Sequence, residues 1–271
     1  MRVLYLGDVV GRAGRDAVTQ HLPKLRKTLD PDFIVVNGEN AAGGFGITEK
    51  ICGQLFDLGV GAITTGNHVW DQAETVSHIE REPRLLRPAN YPASTPGHGT
   101  NIFKTGDGRK ILVIQDMGRV FKDALDDPFA AVQAALQKVR LGHTVDFILI
   151  DIHAEATSEK AAVGVFADGR ASLVAGTHSH VPTADARILP NGTGYQTDLG
   201  MCGDYDSVIG MDPEEPLRRF TRKISGGRFT PALGEATVCG VFVETDDSTG
   251  LAMRIAPVRV GGRLVPTEPN P

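Results

Sequence analysis

Short, mainly apolar runs recur along the first two thirds of the chain and alternate with stretches of helical periodicity. Apolar runs of this length predict buried strands of a largely parallel sheet, because such strands are covered on both faces. The runs occupy residues 3–6, 33–36, 62–65, 147–150 and 171–175.

Apolar side chains at helical spacing predict the elements between these strands. Val18, Leu22, Leu25 and Leu29 indicate a first helix that ends at Asp30-Pro31. Further helices are predicted over residues 48–58 with Gly59 as the cap, over 70–78, from Asp127-Pro128 through Phe129, Val132, Leu136 and Val139, and over 155–166 and 214–224. Strands and helices in alternation are typical of the α/β class.

Turn residues predict the remaining β-structure. Residues 102–103 and 111–114 flank Gly106-Asp107-Gly108, which predicts a hairpin. Residues 83–98 carry four prolines and are expected to be irregular, and strands are predicted at 187–189, 238–244 and 251–260. Since no repeat or linker interrupts the pattern, we predict a single domain over residues 1–271.

The composition excludes several classes of protein. The chain has 271 residues, 41% of them hydrophobic, and a formal net charge of -5, so it lacks the basic balance of stable polynucleotide binders. Its three cysteines form no C-x-x-C pair, which favours reduced thiols in a cytoplasmic protein. No apolar run approaches a membrane span or a signal-peptide core, so we expect no membrane association.

Polar clusters follow the apolar runs at the points where the predicted strands end. They are Gly7-Asp8, Gly38-Glu39-Asn40, Gly66-Asn67-His68, Asp151-Ile152-His153 and Gly176-Thr177-His178-Ser179-His180. Because loops at strand ends gather on one face of an α/β fold, we expect these side chains to meet there. The last cluster also places two imidazoles two residues apart, where both can face one ion.

The side chains in these clusters are typical metal ligands. Carboxylates, a carboxamide and imidazoles together suit iron, manganese or zinc better than calcium, and the lack of a nearby cysteine argues against a thiolate zinc site. Two cations about 3.5–4 Å apart can clamp a phosphoryl group, so the hypothesis is phosphoester hydrolysis. Structural alternatives remain open: Asp8 as a helix cap, Glu39 and Asn40 as turn residues, and His153 as a core histidine.

At these clusters the sequence resembles the calcineurin-like metallophosphoesterase superfamily. That superfamily has an aspartate after its first strand, a second acid, G-N-H, a lone histidine and G-H-x-H. Two positions depart from the pattern: Val10 stands where D-x-H has its histidine, and Glu39 replaces the bridging aspartate. Together with the opening M-R-V-L-Y-L-G-D-V-V-G and with T-G-N-H-V-W-D, this resembles the YmdB-like branch over the full chain.

The resemblance implies an α/β fold in which a β-sandwich of mixed sheets is flanked by helices, in four layers α/β/β/α. It implies a two-metal phosphodiesterase acting on cyclic nucleotides, 2′,3′-cyclic ones in particular, with iron or manganese favoured and zinc less so. The first metal would take Asp8, Glu39, Asn40 and His180, and the second would take Glu39, Asn67, His153 and His178. A hydroxide between the metals would attack phosphorus, and His68 would protonate the departing oxygen.

Two other functions stay open at this point. One is a phosphomonoesterase or protein phosphatase using the same metals, and the other is a regulatory protein that senses a nucleotide with negligible turnover. A small pocket closed by residues 43–46 would favour a small phosphodiester as the partner. Residues proposed to contact the substrate are Phe45, Tyr91 and Tyr205 for the base or ribose and Arg12 for the phosphate. The sequence leaves open whether the chain forms a homo-oligomer.

Overall fold

The fold is taken from a computed structural model, which describes residues 1–269; the last two residues of the predicted domain lie outside this range. The strands are β1 (Arg2–Leu6), β2 (Asp8–Val9), β3 (Phe33–Asn37), β4 (Ala62–Thr64), β5 (Thr100–Lys104), β6 (Lys110–Met117), β7 (Phe147–His153), β8 (Leu173–Thr177), β9 (Arg187–Ile188), β10 (Gly194–Gln196), β11 (Met201–Asp204), β12 (Ala236–Thr245) and β13 (Ala252–Val260). The helices are α1 (Gly11–Leu29), α2 (Glu49–Asp57), α3 (Thr75–His78), α4 (Pro128–Leu136), α5 (Thr157–Ala167) and α6 (Glu214–Arg222).

The strands form two mixed sheets. The first sheet has seven strands in the order β2-β11-β12-β1-β3-β4, with β13 also paired to β12. The second sheet has six strands in the order β5-β6-β7-β8-β10-β9. In the first, β1 pairs parallel with β3 and antiparallel with β12. In the second, β7 is parallel to both of its neighbours, whereas β5 and β6 form the antiparallel hairpin predicted from the Asp-Gly turn.

Alternate residues of the long central strands enter different apolar clusters, which explains why these strands are apolar throughout. In β1, Val3 and Tyr5 belong to the cluster that also contains β6, β7 and β8 residues of the second sheet. Leu4 and Leu6 belong to the cluster that contains α1 and α2 residues. On the second sheet, Ile148 packs with α4 and α5 residues in a third cluster. The layers are therefore helices, sheet, sheet and helices, and the predicted fold class is confirmed.

Local signals placed the ends of several helices correctly. At the end of α1, Asp30 has a left-handed backbone (φ +46°), and its N–H donates to the carbonyl of Arg26. The Thr48 side chain caps α2 by accepting from the Ile51 N–H at 3.3 Å, and Gly59 after that helix has φ +89°. Asp127 caps α4 through the Phe129 N–H. Polar caps and left-handed termini satisfy backbone groups that a helix leaves unpaired.

The helix predicted over residues 70–78 is mostly wrong, since only Thr75–His78 is helical. Side chains of this segment instead hydrogen-bond the loop after β3. Gln72 Nε2 donates to the Phe45 carbonyl at 2.7 Å, and Thr75 Oγ1 donates to the Ile47 carbonyl at 2.7 Å. Tertiary hydrogen bonds have outweighed local helical preference here.

Two further differences are small. Helix α4 ends at Leu136, so Val139 lies beyond it. The short strands β2, β10 and β11 carry too few apolar residues to give a sequence signal. Within residues 1–269, none of the helices has both the length and the apolar composition that a membrane crossing requires.

Candidate active site

The predicted site residues lie together at the end of the sandwich where several parallel strands terminate. Asp8 lies on β2, Glu39 and Asn40 follow β3, Asn67 and His68 follow β4, His153 ends β7, and His178 and His180 follow β8. Ligand atoms of Glu39, His153 and His178 all lie within 4.8 Å of one another, as do those of Asp8, Glu39 and His180. Glu39 belongs to both groups and is therefore placed to bridge two ions.

The two asparagines complete these groups. Asn67 Oδ1 lies 3.2 Å from His153 Nε2, and Asn40 Oδ1 lies 3.2 Å from His180 Nε2. Asn40 Nδ2 donates to the Gly44 carbonyl at 3.0 Å, which turns its oxygen towards the histidine. The structure thus brings together all seven residues predicted to bind metal.

A backbone carbonyl determines which ring nitrogen of His180 has a free lone pair. His180 Nδ1 lies 2.7 Å from the carbonyl oxygen of Ile209, and a carbonyl can only accept, so Nδ1 carries the proton. In the neutral ring Nε2 then presents a lone pair to Asn40 Oδ1. Two acceptors facing each other are stabilised by a cation between them, and a second ring N–H bonded to a carbonyl is typical of metal-binding histidine.

The orientation of His153 is fixed in the same way, by a chain of side-chain hydrogen bonds. The Thr177 hydroxyl donates to Asp151 Oδ1 at 2.8 Å, so its oxygen is free to accept from His153 Nδ1, also at 2.8 Å. In the neutral ring Nε2 faces Glu39 Oε1 at 3.1 Å and Asn67 Oδ1 at 3.2 Å. These three acceptors fit a metal ion better than they fit one another.

The buried carboxylates show the same need for positive charge. Asp8 is fully buried. Among residues 1–269, its Oδ1 has no hydrogen-bond partner and its Oδ2 accepts only from the backbone N–H of His178. Burial raises the pKa of Asp8, and the negative charge of Glu39 adds to this effect. Burial alone would raise the pKa of Glu39 too, but a protonated His153 ring, through its charge and its hydrogen bond to Glu39, outweighs burial and lowers that pKa. A positive charge beside Glu39, whether a proton or a metal ion, stabilises its carboxylate.

The remaining imidazoles are suited to binding metal at neutral pH. Burial, with a contribution from nearby His153, lowers the pKa of His178 to about 2. Burial also lowers the pKa of His180. Both rings are therefore neutral at pH 7, the form in which histidine binds metal.

The loop that carries these two histidines is strained and firmly anchored. His178 has φ +96° and His180 has φ +65°, a left-handed region that costs non-glycine residues about 1–3 kcal/mol each. Asp198 holds the loop by accepting from the Ser179 N–H at 3.0 Å. Asp198 is itself paired with Lys160 Nζ at 2.6 Å, and both side chains are completely buried.

Sequence reasoning missed three side chains that contact this site. Lys122 Nζ lies 2.7 Å from Asn67 Oδ1 and 2.6 Å from His178 Nε2, and Glu155 Oε2 lies 2.9 Å from the same nitrogen. Asp71 Oδ2 lies 2.8 Å from Nδ1 of His68. Of these three, only Asp71 could have been identified from the sequence, because it follows His68 by three residues. Lys122 lies on a loop without periodicity.

The site opens into a cavity of about 260 Å³. At one end the cavity is lined by Glu39, Asn40, His68, His178 and His180, and elsewhere by Phe45, Val208, Ile209, Met211, Pro216, Phe220 and Phe229. Phe45 packs edge-on against His68, with ring centroids 5.0 Å apart. Phe45 is therefore among the side chains that line the cavity, and its contact with a substrate stays a prediction.

The other three predicted substrate contacts have different partners. Arg12 is exposed and paired with Asp16 at 3.4 Å. Tyr91 packs edge-on against Trp70 with ring centroids 6.1 Å apart. The Tyr205 hydroxyl donates to the carbonyl of His180 at 3.1 Å, so it supports the site from behind. None of the three lines the cavity described above.

Comparison with known proteins identifies the family to which the chain belongs. The model of the family described as YmdB-like protein matches residues 4–258. The chain belongs to this family. A relative in Bacillus subtilis (strain 168), named 2′,3′-cyclic-nucleotide 2′-phosphodiesterase, is 49% identical over 255 residues, which cover 94% of this chain and 95% of the relative. The resemblance inferred from the sequence motifs is confirmed.

Two crystal structures of similar proteins share the fold. A protein from Thermus thermophilus superimposes with a TM-score of 0.90 at 41% identity, covering 97% of this chain and 100% of that one. A structure described as a novel phosphatase from Mycoplasma pneumoniae superimposes with a TM-score of 0.89 at 34% identity, covering 96% and 93%. The overall fold is thus shared across these three chains.

The buried Lys160–Asp198 pair yields a prediction about stability. Replacing Lys160 with methionine leaves the Asp198 charge buried without its partner, which we expect to cost about 3–5 kcal/mol of the free energy of unfolding. Urea denaturation of both proteins measures this difference. Lys24→Met is the matched control, because Lys24 is exposed and contacts Glu268 only at 3.5 Å. Equal stability of the two variants would contradict the anchoring role of the pair.

Proposed function

We propose that this protein is a dinuclear metal-dependent phosphodiesterase that hydrolyses 2′,3′-cyclic nucleotides. The observation that carries the proposal is the position of Glu39, whose carboxylate belongs to two adjoining groups of buried acceptor atoms. The name of the Bacillus subtilis relative supports the class of substrate.

In this proposal the first metal ion is held by Asp8, Glu39, Asn40 and His180, and the second by Glu39, Asn67, His153 and His178. Oxygen ligands are more numerous at the first position, which favours iron or manganese over zinc there. When bound, such a pair supplies Lewis-acid chemistry and a water activated at neutral pH. The buried, unpaired cysteines Cys52, Cys202 and Cys239 support a cytoplasmic location as part of the same proposal.

His68 is the proposed general acid. Asp71 accepts from Nδ1 at 2.8 Å and so orients the ring while leaving Nε2 free. The ring also lines the cavity and packs against Phe45, which fixes its orientation. From this position Nε2 donates its proton to the ester oxygen as it departs.

Lys122 supplies a positive charge at the same end of the cavity. Its Nζ lies 2.7 Å from Asn67 Oδ1, beside the proposed second metal position. We place the charged oxygens of the phosphoryl group within reach of this amine, which would neutralise part of the charge that develops during attack.

A substrate panel separates the proposed function from its two alternatives. The purified protein is supplied with manganese and tested on 2′,3′-cyclic AMP, bis-p-nitrophenyl phosphate and p-nitrophenyl phosphate. We expect cleavage of the two diesters, because the cavity of about 260 Å³ suits a small molecule. A preference for the monoester would indicate a phosphomonoesterase. Tight binding of the nucleotide without product would indicate a sensor.

The role of His68 predicts that metal binding and turnover respond differently to its replacement. His68→Ala should retain its metal ions and lose about 10²–10⁴-fold in kcat, because only the proton donor is removed. Elemental analysis and steady-state kinetics measure the two properties. His143→Ala serves as the control, since His143 is exposed and lies outside the cavity lining. Loss of metal from His68→Ala, or unchanged kcat, would argue against the assignment.

Gly66 predicts a variant that weakens metal binding without removing a ligand. A Cβ at this position would overlap with Glu39 Oε2 and with His153 Nε2, so alanine must displace both side chains. We expect Gly66→Ala to bind metal about 10- to 100-fold more weakly, the range known for changes that misorient ligands.

Gly53→Ala is the matched control for this substitution. Gly53 lies in α2, and apart from its own helix no atom of the described residues lies within 4 Å of a Cβ built there. Isothermal titration with manganese compares the two variants, and circular dichroism checks their folding. A folded Gly66→Ala protein with wild-type metal affinity would show that the ligands do not converge at this glycine.

A further inference from the structure

The cavity has two chemically different ends. Among the described residues, the metal-ligand candidates and His68 provide all of its charged and polar side chains. The rest of the lining is apolar and includes Phe45, Phe220 and Phe229. Phe45 lies on the loop after β3, whereas the other two come from the segment around α6. An apolar chamber that opens directly onto a phosphate-binding cluster fits a ligand with one anionic and one flat, apolar end.

Two of the aromatic rings are held in place without a ligand. The Arg219 guanidinium lies 3.9 Å from the centre of the Phe229 ring and is fixed by Glu215 Oε1 and the Gly227 carbonyl, each at 2.7 Å. The Phe45 backbone is tied by Gln72, and its ring packs against His68. Rings that are already ordered lose little conformational entropy when a ligand stacks on them.

Phe220 is the third ring, and it is unusually exposed for a phenylalanine. Its side chain is 71% exposed although it lines the cavity. Contiguous apolar surface beside a polar site is typical of ligand-binding sites, and Phe220 shares the cavity lining with Pro216 and Phe229. A flat ligand seated in the cavity would cover this ring and gain the apolar contact.

We propose that the apolar end of this cavity binds the nucleobase of a 2′,3′-cyclic nucleotide, and that it accepts all four bases. This inference rests on the proposed function and specifies how its substrate is held. Every base has an apolar face that stacks on aromatic rings, so stacking discriminates little between bases. Within residues 1–269, the side chains lining this end contribute no hydrogen-bonding group that could distinguish the edges of one base from another.

The first test compares substrates with and without a base on the wild-type holoenzyme. The 2′,3′-cyclic phosphates of adenosine, guanosine, cytidine and uridine are compared with methyl riboside 2,3-cyclic phosphate, which has no base. We expect kcat/KM values within about tenfold of each other for the four nucleotides, and a loss of about 10- to 100-fold for the base-free compound. Equal cleavage with and without the base overturns the inference and leaves the proposed function intact.

Binding measurements test the site even if the proposed activity fails. Calorimetric titration of the holoenzyme with adenosine 3′-monophosphate and with methyl riboside 3-phosphate compares ligands with and without a base. We expect the nucleotide to bind about 10- to 100-fold more tightly. If no cyclic phosphate is cleaved but the nucleotide still binds more tightly, the phosphodiesterase proposal is rejected and the base site is retained. Equal affinities would reject the base site.

Substitutions in α6 test whether Phe220 is the side chain that contacts the base. Phe220→Ala should raise KM for 2′,3′-cyclic AMP with little change in kcat, and should leave the base-free substrate unaffected. Phe220→Tyr keeps an aromatic ring and should restore the low KM. Leu217→Ala is the control, because Leu217 is also exposed on α6 but does not line the cavity. A Phe220→Ala protein that keeps its preference for base-containing substrates, or that loses both substrates equally, contradicts the assignment.

Discussion

The carboxylate of Glu39 lies mainly among side-chain atoms that accept hydrogen bonds and cannot donate them to it. His153 Nε2 lies 3.1 Å from Glu39 Oε1, and its other ring nitrogen is paired with a hydroxyl that already donates elsewhere. Glu39 also shares a group of close ligand atoms with Asp8 and His180. Buried acceptors repel one another unless positive charge separates them. The surrounding structure therefore has to hold these groups close together, and cations bound between them would relieve the repulsion.

The fold holds these acceptor groups close together through residues that take no part in the proposed reaction. The left-handed backbone of His178 and His180 is maintained by Asp198, which is held in turn by the buried Lys160. At Gly66, only a residue without a side chain lets Glu39 and His153 approach this closely. Strain and buried charge are tolerated where the surrounding packing determines the geometry, and this is typical of functional sites.

The sequence predicted the strands and the ligand cluster because both depend on local pattern. Apolar runs located the strands, and the polar residues after them, such as Asp8 and His153, were assigned to one face from strand topology alone. Lys122 and the aromatic rings of Phe220 and Phe229 could not be placed at the site from the sequence. Phe220 lies on the predicted helix α6, but the position of that helix and of the loops that carry Lys122 and Phe229 depends on how they fold back over the site. The failed helix over residues 70–78 has the same cause, because Gln72 and its neighbours pair with a distant loop.

The proposed catalytic groups and the apolar end of the cavity come from different parts of the chain, yet one turn connects them. The Ile209 carbonyl fixes the tautomer of His180, while the Ile209 side chain lines the cavity. This turn is closed by reciprocal backbone hydrogen bonds of 3.0 Å between Val208 and Met211. Both residues also line the cavity. Side-chain changes here alter the shape of the chamber and leave the carbonyl contact intact. A shift of the turn backbone changes both the shape of the chamber and the carbonyl contact with His180. Ligand fit and the orientation of His180 are therefore coupled through the backbone, whereas side-chain substitutions change ligand fit alone.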